Sequence, residues 1–168
     1  LSSDWPQLSI KPLTVPKNLR LLIGWTGSPA STSDLVDQVN QSTQNQSEKQ
    51  EAYQQFLTNS KTCVEDLIDG FVDGNVTKIK QMISKNRKLL ADLSCITGVR
   101  IETPALKQLC DLAEACGGAA KSSGAGGGDC GIVIADQKTG ILPLMSRWEK
   151  AEITPLPLHV YHYRGGIK

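Results

Sequence analysis

The sequence predicts an α+β domain, and three observations carry that prediction. Apolar residues recur at three- and four-residue steps over three stretches between Glu48 and Ala113, the period of amphipathic helices. Short aliphatic and β-branched runs at 19–25 and 130–135 read as strands. The order strand, helices, strand pair, helix and strand suits an antiparallel sheet with segregated helices.

Each element can be justified in turn. Residues 19–25 (LRLLIGW) lie between Pro16 and the turn-forming Gly27-Ser28-Pro29, as expected of a buried strand. Ser31-Thr32-Ser33-Asp34 can cap the next helix, with Leu35, Val36 and Val39 on its inner face. Residues 40–47 (NQSTQNQS) are polar and aperiodic and read as a flexible loop. From 48 to 72, Tyr53, Phe56, Leu57, Val64, Leu67, Ile68 and Phe71 mark an amphipathic helix that Gly74 ends.

A second helix over about 76–93 carries Ile79, Met82, Ile83, Leu90 and Leu93 on one stripe, interrupted by Asn86. A third takes Thr103 as N-cap and Pro104 as its first residue, buries Leu106, Leu109, Cys110 and Ala113, and closes at Gly117. Residues 130–135 form a strand, and 140–151 a short helix facing inward through Ile141, Leu144, Met145 and Trp148. The two prolines in 153–163 (ITPLPLHVYHY) favour an edge strand or a bulge. These elements predict a ferredoxin-like arrangement: a mainly antiparallel sheet with the helices on one side.

A length of 168 residues suffices for a core and suggests one domain. The chain does not open on Met, and LSSDWPQLSIKPL reads like the middle of a protein, which predicts a truncated start. Eighteen basic and 17 acidic side chains are spread evenly, so no footprint for nucleic acid or anionic lipid is visible. No apolar run is long enough to cross a bilayer. Five cysteines without a C-x-x-C pair argue against a zinc site or a disulfide framework and fit reduced, buried thiols in a cytoplasmic protein.

The segment that carries chemistry is 121–130, KSSGAGGGDC, with four glycines in five positions between two strand-like stretches. Glycines adopt backbone angles closed to other residues, and without a Cβ they let peptide N–H groups converge on an anion. A phosphate is the natural guest. A P-loop is excluded by the missing G-K-[S/T], and a dinucleotide fingerprint by Asp129 at the sixth position and by the strand that follows. A glycine hairpin without ligand, or a linker, is the alternative; a linker seldom runs straight into IVIAD.

KSSGAGGGDCGI resembles the third conserved motif of the GHMP kinases, and Asp129-Cys130 brings it toward the bacterial phosphomevalonate kinases of that family. DWP at 4–6, IGWTGSPAS at 23–31, Asn86-Arg87 and IET at 101–103 agree in order and spacing. The resemblance covers nearly this whole chain but only about the C-terminal half of the family's. It implies a C-terminal domain over 1–168, whose partner is an N-terminal ATP-binding domain. It also implies ATP-dependent phosphorylation of phosphomevalonate. Lys121, Ser123, Gly124, Ala125, Gly126 and Gly127 would line the phosphates through backbone N–H groups, the serine hydroxyl and the lysine charge. The catalytic aspartate and the Mg2+ ligands are expected upstream of Leu1, leaving no catalytic residue and no metal ligand in this chain. Other members of the family and a non-catalytic anion-binding module are the rival readings.

Weaker candidates keep two readings each. Asn86 and Arg87 either face substrate or serve as solvent-facing, capping or cross-domain residues. Thr26, Ser28 and Ser31 suit either ligand contact or turns and caps. His159 and His162 point to opposite faces of a strand and cannot share a metal. Trp5, Trp25 and Trp148 are too scattered for a stacking platform and read as core or domain interface.

Overall fold

The computed structural model describes residues 11–43, 47–158 and 160. Four strands, β1 (Arg20–Trp25), β2 (Ala119–Ser122), β3 (Cys130–Ala135) and β4 (Thr154–Leu156), form one sheet in the order β2-β3-β1-β4, with every neighbouring pair antiparallel. Five helices accompany it: α1 (Thr32–Thr43), α2 (Ser47–Val72), α3 (Val76–Thr97), α4 (Pro104–Ala115) and α5 (Ile141–Lys150). Helices α1 to α4 all lie between β1 and β2, and α5 returns the chain from β3 to β4. This is the ferredoxin-like strand order with an enlarged first crossover.

Two cores flank the sheet. Ala120 and Val133 face Leu109, Cys110 and Ala113 of α4 and Leu144 and Trp148 of α5, with Leu22 packed alongside. Their strand neighbours Ala119 and Ile134 point the other way, into a second core with Val76, Ile79 and Ile83 of α3. The helices are therefore divided rather than gathered on one side: α4 and α5 cover one face, and α3 meets the β2 edge of the other. A 26-residue α2 lies outside α3 and packs mainly on it.

Most element positions agree with the sequence reading. Thr103 caps α4 by accepting from the Leu106 N–H at 3.3 Å, with Pro104 first in the helix. Asn75 caps α3 by accepting from Lys78 N–H, and Gly98 ends it at φ +75°.

Several expectations need correction. The polar segment after Val39 stays helical through Thr43, where the Ser42 and Thr43 hydroxyls donate to the Val39 carbonyl, and α2 begins already at Ser47. Val36, Leu57, Val64 and Ile68 are exposed, because α1 and α2 cover the outer layer and bury only part of their apolar faces. Helix α3 runs four residues beyond 93, its last turn held by a bond from the Thr97 hydroxyl to the Leu93 carbonyl. Strand β1 is half-buried, covered by α4 and α5 on one face and only in part on the other. Strand β4 pairs with β1 only over Thr154–Leu156, since Pro155 and Pro157 cannot donate to a longer ladder. Cys95 is exposed, whereas Cys63 and Cys110 are buried as expected, and all five thiols are free. Trp5, His159 and His162 lie outside the described residues.

Candidate functional site

The glycine segment forms the connection between β2 and β3. Its local geometry follows from its composition. Gly126, Gly127, Gly128 and Asp129 all have positive φ, at 93°, 79°, 142° and 61°. Three glycines carry that run without steric cost, and aspartate is among the few other residues that tolerate it.

Two segments clamp the loop. On one side the Gly127 N–H donates to the Ile101 carbonyl at 2.7 Å, and Ile101 fills the space where a Cβ on Gly126 would lie. On the other side the Asp129 N–H donates to the Ser28 carbonyl, while the N–H and the hydroxyl of Thr26 both donate to the Asp129 carbonyl at 2.8 Å. Leu35 of α1 covers Gly127, and the buried Ser122 hydroxyl donates to the Gly124 carbonyl at 3.4 Å. The loop is thus a fixed backbone shape rather than a tether.

Within this frame the N–H groups of Gly124, Ala125, Gly126 and Gly128 donate to no other described residue. Gly124 has nothing within 4 Å of where its Cβ would stand. Gly124 is exposed and Ala125 half-buried, whereas Gly126 and Gly128 are buried; peptide donors left without a partner in a glycine-rich turn are groups of the kind that can receive an anion. Two sequence expectations change here. The Gly127 N–H is engaged by Ile101, and the Ser123 N–H is engaged by the Cys130 carbonyl at 2.9 Å, so Ser123 offers its exposed hydroxyl and Gly127 offers shape. Gly128, which the motif comparison did not single out, adds a donor.

The other candidates divide by location. Ser28 borders the loop through its carbonyl. The Ser31 hydroxyl accepts from the Asp34 N–H at 3.4 Å and so caps α1. Lys121 is half-buried, and its ammonium donates to the Ser122 carbonyl at 2.6 Å; burial lowers its pKa. Asn86 is half-buried on α3. The Arg87 guanidinium is enclosed by Glu102, Asp111 and Glu114 at 2.6–3.1 Å with its side chain 14% exposed, which leaves little of it to meet a substrate. Burial pulls its pKa down, and the carboxylates reverse this, so the net shift is upward.

Ile101, Glu102 and Leu35 were not singled out as site residues. IET at 101–103 was legible as a matching stretch, but a backbone carbonyl has no side-chain signature. Among the described residues no group of three or more His, Cys, Asp or Glu is placed to hold a metal ion. No helix among them is long and apolar enough to cross a membrane.

Residues 67–150 match the family model of the GHMP kinases C terminal. This chain belongs to the GHMP kinase family. The match runs from the second half of α2 to the end of α5 and so includes the glycine loop. This GHMP kinase chain is 42% identical over 160 residues to the phosphomevalonate kinase of Streptomyces sp. (strain CL190), covering 94% of itself and 42% of that protein.

Among solved structures it is similar to the Lin0012 protein from Listeria innocua, with 40% identity and a TM-score of 0.83, over 98% of this chain and 46% of that one. It is also similar to the Streptococcus pneumoniae phosphomevalonate kinase in complex with phosphomevalonate and AMPPNP, with 35% identity and a TM-score of 0.73, over 92% and 43% of the two chains. The chain spans less than half the length of each of these relatives.

Proposed function

We propose that this chain is the C-terminal domain, over 1–168, of a phosphomevalonate kinase. The enzyme transfers the γ-phosphoryl group of ATP to the phosphate of (R)-5-phosphomevalonate, giving 5-diphosphomevalonate for isoprenoid synthesis. The observation that carries the reading is the clamped loop with unpaired N–H groups at Gly124, Ala125, Gly126 and Gly128. An acceptor-phosphate oxygen bonds to the γ-phosphorus, the bond from that phosphorus to the β–γ bridging oxygen breaks, and ADP leaves. Charge builds on the transferred oxygens, and preorganised N–H donors stabilise it without reorganisation.

In this reading the loop and the Ser123 hydroxyl hold phosphate, while Ser28 and Ser31 border the acceptor. Lys121 adds positive charge from beneath. The ATP loop, the catalytic base and the Mg2+ ligands belong to an N-terminal part of the same protein. Mg2+ held there would supply positive charge against the charge that builds on the nucleotide phosphates. A surface for that N-terminal part is available on the sheet face opposite α4 and α5, where Leu21, Ile23 and Ile132 remain half-buried. Free thiols at all five cysteines fit a reducing compartment, and we place the enzyme in the cytoplasm.

The test is substrate profiling of the full-length enzyme by ADP release. Turnover of phosphomevalonate with ATP, and not of mevalonate, is the expected result. Turnover of mevalonate alone would overturn the assignment within the family.

A further inference from the structure

We infer that Arg87 is a positioning residue for the glycine loop, acting through Glu102 and the Ile101 carbonyl rather than by touching substrate. The inference rests on the reading of that loop as a phosphate cradle.

The connection can be followed bond by bond. The Arg87 Nε and Nη2 grip the Glu102 carboxylate bidentately at 2.7 and 3.1 Å. The same guanidinium reaches Asp111 at 2.6 Å and Glu114 at 3.0 Å, so α3, α4 and the segment between them are fastened at one point. Glu102 follows Ile101 directly. Ile101 is 4% exposed, donates its N–H to the Ser94 hydroxyl of α3 at 3.2 Å, and accepts the Gly127 N–H at 2.7 Å. Its carbonyl and side chain also bound the space beside Gly126. The position of one peptide therefore sets both the direction of the Gly127 N–H and the room left for Gly126. The unpaired donors at Ala125, Gly126 and Gly128 are aimed by the same backbone.

A planar five-donor fork can grip Glu102 bidentately and still reach Asp111 and Glu114, four contacts that the three donors of an ammonium cannot reproduce. Without the fork, the like charges of Glu102 on the connection and of Asp111 and Glu114 on α4 are left facing one another beside α3, with Lys107 at Asp111 as the other cation in contact among the described residues. The segment around residue 101 is the part free to move, because it is the connection between two helices. A displacement of about 1 Å at a phosphate site costs on the order of a hundredfold in rate, so a remote ion cluster can have a catalytic consequence.

The experiment uses the full-length enzyme with Arg87→Lys and, as a milder change, Glu102→Gln, which keeps Arg87 paired to Asp111 and Glu114. Amide hydrogen exchange at Gly127 is followed by NMR, with the Val133 amide of β3 as the internal reference, and steady-state constants are measured for both substrates. Exchange at Gly127 is expected to rise about tenfold or more in both variants while Val133 is unchanged. The kcat/KM for phosphomevalonate should fall by about ten- to a hundredfold.

Unchanged Gly127 exchange in folded Glu102→Gln overturns the positioning, whatever happens to turnover, and decides the matter should Arg87→Lys fail to fold. Faster exchange with unchanged kcat/KM leaves the positioning standing and overturns the phosphate-cradle reading instead.

Discussion

The carbonyl oxygen of Ile101 accepts the Gly127 N–H at 2.7 Å and also occupies the space that any side chain on Gly126 would need. One atom thus supports the loop and forbids a Cβ on it. Gly126 further sits at φ +93°. A left-handed position costs an L-residue about 1–2 kcal/mol, and displacing a packed neighbour adds about 1–3. Gly126→Val is therefore expected to lower stability by about 3 kcal/mol and turnover by about a hundredfold. Thermal unfolding of the full-length enzyme, read beside its kinetics, checks both; unaltered turnover would remove the loop from the mechanism.

Gly124 is the opposite case. Nothing lies within 4 Å of its Cβ position, and its φ is outside the left-handed range. Gly124→Ala should leave stability within about 0.5 kcal/mol. A methyl group there would nevertheless stand at the mouth of the cradle, so kcat/KM for phosphomevalonate is expected to drop about tenfold. Equal loss of stability and activity would contradict the open geometry described here.

The contrast between these two glycines shows how far the sequence could be read. Four glycines in five positions announced a tight, anion-friendly turn, but nothing in their order said which N–H groups are taken. That depends on Ile101 and Ser28, residues 26 and 101 positions from Gly127 and Asp129, and on backbone atoms that every residue shares. The start of α4 was legible because Thr103 and Pro104 act locally, and α3 starts at Val76 as its apolar stripe indicated, whereas its end lies four residues beyond 93. Helix α1 was cut short in the reading because its polar tail looks like a loop, and local Ser42 and Thr43 bonds continue it. Arg87, next to the Asn86 that interrupts an apolar stripe, carries no local sign of its partners; only the folded arrangement brings its three carboxylates to it.

A pH effect on stability is expected from Asp136. It accepts from the Lys80 ammonium at 2.8 Å, from the Lys138 N–H at 2.9 Å and from the Thr139 hydroxyl at 3.1 Å. The Lys80 bond, outweighing the opposing effect of burial, holds its carboxyl below the ordinary 3.8. A depressed folded value contributes stability above the unfolded value, and that stability is lost as pH falls through the folded one. Asp136→Asn should cost about 1–2 kcal/mol at neutral pH and nearly nothing at the acid end of the transition. Melting temperatures of the two proteins between pH 7 and about pH 3 should converge on acidification; parallel curves would show that Asp136 does not contribute through its charge.

A close helix-to-sheet approach in the core concerns the seat of the loop itself. Gly24 and Gly131 are partners across the β1–β3 ladder, and Leu109 of α4 rests on both, 2.9 and 2.5 Å from where Cβ atoms would stand. Trp148 locks the same contact from α5 by donating its indole N–H to the Leu109 carbonyl at 3.1 Å. Gly131→Ala inserts a methyl into this contact and is expected to cost about 1–3 kcal/mol. Leu109→Ala alone should cost about 2–5 kcal/mol by opening a cavity.

In the double variant the added methyl enters the space the leucine leaves, so the combined loss should be smaller than the sum of the two. Denaturant titrations of the four proteins measure the coupling. Strict additivity would mean that α4 shifts as a body away from Gly131, and because Gly131 directly follows Cys130 at the loop's exit, such a shift would also register as faster exchange at Gly127.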